Sequence, residues 1–589
     1  MTKTTRACLW AVLAVSAAFA KTMEPDWDVN VWEAKTPVLA TPPAEEGFRG
    51  RVAPLSRIAP ANATGEESRS WKGVAWRNER VYAQFVVWSK SGERQLRAEP
   101  GDLVSESGAK IPASAVKARM VRYVRSELTV EGREIFPEEF VAELSDDPST
   151  TDTGWLDMPE NGFRPVWVTI HVPKYIPAGV YSGPLTVRAA GDRKVVFDLE
   201  LDVRDMTLPD PKDWKFHFDV WQHPWAVARY HHVEPFSEDH YRVMRPLMEE
   251  LAATGQKVIT TTPIDLAHGH QNFDAYRTMI EHVKNPDGSW TFDYSIFDSY
   301  VEYALSCGIG PKIVCYQMTP RGNIGWYKDG ATGDKVSFEM DALSPGYEAF
   351  WGPFLADFQK HLEAKGWVGE TYIGMDERSI EEIRATYDLV RRYSPKLKIE
   401  MAGDHNPKYY EGVEVESYAQ SLQPMTDEFI ADIPSRRAKG FLTTFYVCCT
   451  PCQPNTFVTS PVEESRWLGL YAAAKGFDGM LRWSVWNWPR DPLFDSSYLG
   501  MYGRYGWTPG DAFILYPNGR TSLRWDMLRE SIENFEKIRI LRESGRMTPE
   551  LESALGKIDY KATATCEKPA CAYDAEARAV EDAIDAASR

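Results

Sequence analysis

The sequence predicts a multidomain β plus α/β chain: an N-terminal β-sandwich followed by a (β/α)8 TIM-type barrel with C-terminal helices. Three observations predict it. From about Val52 to Val203, short alternating and β-branched runs stand between turn residues, as in RVYAQFVVWSK (80–90), RPVWVTIHVP (164–173) and GVYSGPLTVRAAGDRKVVFDLELDV (179–203). Few helical stretches interrupt them, which is the spacing of a sandwich. Arg204 to Trp214, RDMTLPDPKDW, then forms a linker rich in Pro and Asp. Beyond it, eight strand-like runs alternate with helical patterns over about 330 residues, the pattern of a barrel of parallel strands.

Taken in order, the chain opens MTKTTRACLWAVLAVSAAFA. Lys3 and Arg6 precede an apolar run to Phe19, and Ala18-Phe19-Ala20 forms an A-x-A site. This predicts a cleaved signal peptide over 1–20, with the mature protein in the periplasm or outside the cell. The run is too short to span a bilayer, and no other segment approaches that length, so no membrane span is expected. The sandwich is placed at 21–207, the barrel at 214–545 and a C-terminal helical extension at 546–589. Barrel strands are expected at 215–221, 257–264, 311–318, 370–375, 397–403, 412–418, 441–449 and 479–488. Helical patterns such as FDSYVEYALSCG and YEAFWGPFLADFQKHLEAKG lie between most of them, and SLRWDMLRESIENFEKIRILRESG closes the ring.

A formal net charge of -18 without a long basic run argues against nucleic acid or an anionic membrane surface as partner. The 21 Trp, 27 Tyr and 25 Phe supply rings that stack on the apolar faces of sugars, although core filling in a β-rich protein uses the same residues. Without Cys8 of the signal peptide, the remaining cysteines are Cys307, Cys315, Cys448, Cys449, Cys452, Cys566 and Cys571. YVCCTPCQPN lacks a second pair at zinc spacing, so a bridge within that loop, or between Cys566 and Cys571, suits an exported protein better.

In a barrel of this kind the active site lies at the C-terminal strand ends. Those ends carry Trp221 with His223, Asp265, Tyr316, Asp404 with His405, Tyr446, and Trp483, Trp486, Asn487 and Trp488. Strand four ends on Asp376 and Glu377. Acidic neighbours are common with 85 Asp and Glu among 589 residues, and Asp427-Glu428 behind Thr426 is explained as helix N-terminal charge. The pair at 376–377 has no such duty, because Ser379 and Glu382 form a capping box for the next helix. Side chains of neighbouring strand residues face opposite ways, so the two acids share a pocket only where the strand runs out into its loop.

Glycosidases of the double-displacement type use an acid and a carboxylate nucleophile on opposite faces of one sugar. Strand seven, FLTTFYVCCTPCQPNT, supplies no second carboxylate. In substrate assistance the 2-acetamido group of the sugar is the nucleophile instead. Glu377 is then general acid and later base, and Asp376 holds the amide N–H and offsets the charge of an oxazolinium-like intermediate.

The sequence resembles glycoside hydrolase family 123, the β-N-acetylgalactosaminidase family, over nearly the whole mature chain. The resemblance is carried by RPVWVTIHVPKYIPAGVYSGPLTV, FHFDVWQHPWAVAR, DGSWTFDYSIFDSYVEYALSCGI, TFYVCCTPCQPNTF, SRWLGLYAAAKGFDGMLRW and GDAFILYPNGRTSLRWDMLRESIENFEKIRIL. It implies Asp376 and Glu377 as the catalytic pair, retention by substrate assistance, and the same sandwich and barrel. RWSVWNWPRDP departs from the Asn-rich version expected of the family. The substrate-binding expectation is Trp221, His223, Asp404, His405, Tyr446, Trp483, Asn487 and Trp488, with no metal and no cofactor. The expected partner is a glycan or glycolipid with a terminal N-acetylhexosamine. A related glycosidase on another glycan, and a non-catalytic carbohydrate-binding protein, are the alternatives. The intact Asp-Glu pair counts against the second.

Overall fold

In one strand pair of the sandwich, Arg80–Ser89 with Gly162–His171, both faces of the sheet are buried, and the reason lies in the barrel beneath it. The computed structural model describes residues 38–130, 133–146, 156–269, 271–493, 496, 498–499, 506–560 and 570–589. The expected signal peptide, Cys566 and the side chain of Cys571 lie outside them. One sheet runs in the order Phe48–Ala53, Arg80–Ser89, Gly162–His171, Val116–Val130, Arg133–Asp146. The facing sheet runs Ser70–Arg77, Lys194–Thr207, Gly179–Arg188, Glu93–Pro100, Leu156–Met158. Val81, Ala83, Phe85 and Val87 meet Val166, Leu185, Phe197 and Leu199 between the sheets. Their neighbours Tyr82, Val86 and Trp88, with Phe163 and Trp167, pack on Val462, Leu523 and Met527 of the barrel helices. A strand covered on both sides has no polar face to alternate with.

The barrel strands are β1 His217–Val220, β2 Val258–Thr261, β3 Lys312–Tyr316, β4 Thr371–Met375, β5 Lys398–Gly403, β6 Ser417–Ser421, β7 Leu442–Tyr446 and β8 Gly479–Arg482. All neighbouring pairs are parallel, in the order β1-β8-β7-β6-β5-β4-β3-β2. The seam between β1 and β2 has only the bridge Phe218 to Gln256, so the ring is nearly closed. Two glutamines complete it. The Gln256 amide donates to the carbonyls of Val220 (3.1 Å) and Val258 (2.8 Å), and Gln222 Oε1 accepts from the N–H of Thr260 (2.8 Å). Buried backbone groups at an open seam must find partners, and these amides supply them.

Three elements differ from the sequence expectation. The sixth strand is Ser417–Ser421, C-terminal to the expected 412–418. Its short polar residues give little pattern because they face a polar barrel interior: Ser417 Oγ donates to Glu400 (2.9 Å) and accepts from Lys312 Nζ (2.8 Å). The crossover from β5 to β6 carries only a 3-10 turn, Pro407–Tyr409, in place of an α-helix. Strand eight ends at Arg482, and the Trp-rich segment after it leaves the sheet.

At the N-terminal end of the barrel, His217, Asp219 and Glu400 bring three potential ligand atoms within 4.8 Å of one another. The ammonium of Lys312 lies among them, bonded to Glu400 and 3.3 Å from His217 Nε2. Burial and the Glu400 charge push the Asp219 carboxyl well up.

The long helix Leu523–Glu543 joins the two domains. Asp526 Oδ2 accepts from Trp167 Nε1 and from Arg119, both at 2.9 Å, and its side chain is buried. Asp526→Ala takes the carboxylate from a largely covered guanidinium and from the buried Trp167 N–H, so urea unfolding should show a loss of roughly 3 kcal/mol. A loss below about 1 kcal/mol, the value of an exposed pair, would show that this contact does not hold the domains together.

Candidate active site

Strand β4 ends at Met375, and Asp376 and Glu377 stand in the loop that follows. Helix Ile380–Tyr393 starts without them: the Ser379 side chain accepts from the Glu382 N–H, and Glu382 returns the bond to Ser379 N. The two carboxylates reach toward different strands of the barrel mouth, each to its own tyrosine, with Arg321 between them.

Asp376 faces β3. Its Oδ2 accepts from Tyr316 OH (2.8 Å) and from Arg321 (3.0 Å), and Arg378 lies 3.6 Å away. Arg378 is itself fixed by the carbonyls of Thr319 and Glu377. Burial and the Asp376 charge hold the Tyr316 phenol far above its usual range, so it remains a donor. The ring of Tyr316 packs on Trp221 (4.4 Å) and stacks on His268 (4.4 Å, 24°). Burial, Arg321 and Arg378 lower His268 to about 3, so the imidazole is neutral. His268 lies 6.2 Å from Trp483, completing an aromatic wall across the ends of β1, β2, β3 and β8.

Glu377 faces the other way. Its Oε1 accepts from Tyr446 OH at 2.5 Å, at the end of β7, and its Oε2 lies 3.8 Å from Arg321. Its side chain is 38% exposed, against 11% for Asp376. Burial, then the charges of Asp376 and Asp404, raise the Glu377 carboxyl, whereas Tyr446 and Arg321 pull it down. The result is an acid poised above the ordinary carboxyl range beside a carboxylate held by a guanidinium and a phenol. Such a pair can give a proton with one member and stabilise a cation with the other.

The remaining expected residues divide into two groups. Tyr446 binds Glu377; Trp221 lies against Tyr316; Trp483 donates to Asp511 Oδ1 (3.1 Å) and meets Trp507 edge-on at 5.7 Å. Asp404 and His405 sit on the rim, joined by a 2.6 Å contact from Oδ1 to Nδ1. By contrast His223, Asn487 and Trp488 are fully buried. His223 Nδ1 faces the Trp221 carbonyl (3.2 Å), the Asn487 amide bonds Asn272 (2.7 Å) and Trp488 Nε1 donates to the Leu515 carbonyl (2.7 Å). His223 supports the wall from behind, its ring 5.2 Å from that of His268, and none of the three presents a face to the mouth.

Arg321, His268 and Arg378 were not legible as site residues, because each stands on a loop whose path the sequence does not give. The Cys loop also differs from expectation: Cys448 and Cys449 are free thiols, whereas Cys452 is disulfide-bonded, so the bridge does not lie within the loop.

Two family models match the sequence: Glycoside hydrolase 123, catalytic domain, over residues 221–541, and Glycoside hydrolase 123 N-terminal domain, over residues 57–189. Among solved structures, a family 123 glycoside hydrolase from Clostridium perfringens, described in terms of glycolipid glycan hydrolysis, aligns with a TM-score of 0.84 and 24% identity. The alignment covers 92% of this chain and 99% of that one, and at this identity it speaks to the fold. A family 39 glycoside hydrolase from Bacteroides cellulosilyticus WH2 gives a TM-score of 0.32 at 10% identity over 78% of this chain and 81% of that one, too distant to carry an argument. No curated protein matches the sequence.

The partners of Glu377 make its titration testable. In the free enzyme the basic limb of kcat/KM reports loss of the proton from an essential acid. Tyr446→Phe removes a bond that favours the carboxylate, so the limb should move to higher pH. Asp404→Asn removes a charge that disfavours the carboxylate, so it should move to lower pH. Shifts of the same sign in both variants would contradict this assignment.

Proposed function

The chain belongs to glycoside hydrolase family 123, and on that premise we propose that it is an exo-acting, retaining β-N-acetylgalactosaminidase that removes terminal N-acetylgalactosamine from glycolipids or other glycans by substrate assistance. The observation that carries the reading is the division of labour between neighbours: Asp376 tied to Tyr316 and Arg321, Glu377 raised and open to the mouth. Asp376 accepts the N–H of the 2-acetamido group and orients its carbonyl oxygen toward the anomeric carbon. That oxygen forms the new C–O bond as the glycosidic bond breaks. Glu377 gives its proton to the departing oxygen. The positive charge spread over the cyclic intermediate then lies beside the Asp376 carboxylate. Glu377, now ionised, takes a proton from water as the water opens the ring from the face the leaving group vacated. Two inversions give net retention.

The glycolipid part of the proposal is supported by what is described for the Clostridium perfringens enzyme. Export to the periplasm or beyond is supported by the signal-peptide pattern and by the disulfide at Cys452, since disulfides persist in oxidising compartments. No helix among the described residues is long and apolar enough to cross a membrane.

The acid is tested by leaving-group dependence. Glu377→Gln should lower the rate by orders of magnitude on an alkyl glycoside of the N-acetylated sugar, and far less on an aryl glycoside whose phenolate leaves unaided. Equal losses on both would remove Glu377 from that role.

A further inference from the structure

The two carboxylates divide the mouth into two sectors. The Asp376 sector, over β1, β2, β3 and β8, is walled by Trp221, Tyr316 and His268, all buried, and by Trp483. In the Glu377 sector, over β5 and β7, the Glu377 side chain is 38% exposed. There the loop after β5 carries the ring of His405 against that of Tyr409, with centroids 4.5 Å apart and planes within 24°. Tyr409 is 51% exposed, unusual for a large aromatic side chain, and the His405 side chain is 50% exposed.

The pair is built into the rim. Tyr410, almost fully buried, meets Tyr409 edge-on at 5.2 Å and His405 at 6.4 Å. Tyr418 OH donates to the His405 carbonyl. Asn406 caps the 3-10 turn that presents Tyr409, accepting from Lys408 N–H at 3.0 Å. Asp404 holds His405 Nδ1. Strand β5 pairs with β4, Met401 beside Met375, so the loop after β5 stands next to the loop that carries Glu377.

A proton donor must lie beside the oxygen that departs, so the group carried off with that oxygen lies on the acid's side of the mouth. We propose that the stacked His405–Tyr409 pair is the platform for the leaving-group sugar, and that it makes the protein selective for glycosides whose aglycone is itself a sugar. This rests on the reading of Glu377 as general acid. The terminal sugar enters the walled sector and the next sugar lays its apolar face on the Tyr409 ring.

Two substrates with the same terminal N-acetylated sugar separate the contact from the chemistry: a methyl glycoside and a disaccharide. Both leave as alkoxides and need the acid alike, but only the disaccharide carries a ring to stack. The wild-type protein should show the higher kcat/KM on the disaccharide. Tyr409→Ala should lower that value about tenfold, the size of one aromatic stacking contact, while the methyl glycoside changes by less than about twofold. Tyr409→Phe, which keeps the ring, should behave as the wild type. Equal effects on both substrates, or no effect of Tyr409→Ala on the disaccharide, would overturn the platform and leave the assignment of Glu377 standing. Inactivity of the wild-type protein on both would overturn that assignment as well.

Discussion

Two carboxylates on neighbouring residues can do different chemistry only if something other than their own chain tells them apart. Side by side in water they would titrate together and repel one another. Here the strand stops one residue before the pair, which frees the two side chains from alternation, and the barrel supplies the difference. Tyr316 and Arg321 take hold of Asp376 from β3, and Tyr446 takes hold of Glu377 from β7. Arg321 lies 3.0 Å from one and 3.8 Å from the other, so its ion pair with the more buried acid is the tighter, while burial and the neighbouring charges keep the open one raised. The wall, the rim and the supporting helices are arranged around that asymmetry.

Holding three strand ends in fixed relation requires a barrel that does not breathe, and the structure shows where the rigidity comes from. The weak seam is stitched by the side-chain amides of Gln222 and Gln256. The opposite end from the site is filled by Lys312 with Glu400, Ser417 and Asp219, a buried polar network in place of an apolar plug. From outside, the sandwich lays one sheet across the last barrel helix, with Asp526 receiving Trp167 and Arg119 from the sheet. The N-terminal domain thus braces the helix that closes the ring.

Much of this was legible from residues alone, for identifiable reasons. Alternating runs marked the sandwich, and strands one to five, seven and eight followed from apolar runs that the barrel buries on both faces. Ser379 and Glu382 gave the capping box and thereby released Asp376 and Glu377 from a structural explanation. What escaped was set by tertiary context. SYAQS faces a polar interior and carries no apolar signature, so the sixth strand was placed too early. Trp488 and Asn487 follow strand eight and have the chemistry of sugar ligands, yet the chain turns them inward to Leu515 and Asn272. Arg321 reaches the carboxylates from a loop, where neither period nor spacing announces a side chain's direction.

The central claim is that the nucleophile belongs to the substrate and that Asp376 serves it. The most direct test is a series of aryl glycosides of the 2-acetamido sugar in which the acetyl methyl carries zero, one, two and three fluorines. Each fluorine draws density from the carbonyl oxygen that attacks the anomeric carbon and barely changes the size of the group. The account requires kcat/KM to fall steeply with every fluorine added, and the fall to be much shallower in Asp376→Asn, which no longer supports the developing charge. A wild-type rate indifferent to fluorination would mean that the acetamido oxygen does not attack, and that the carboxylate pair acts by another route.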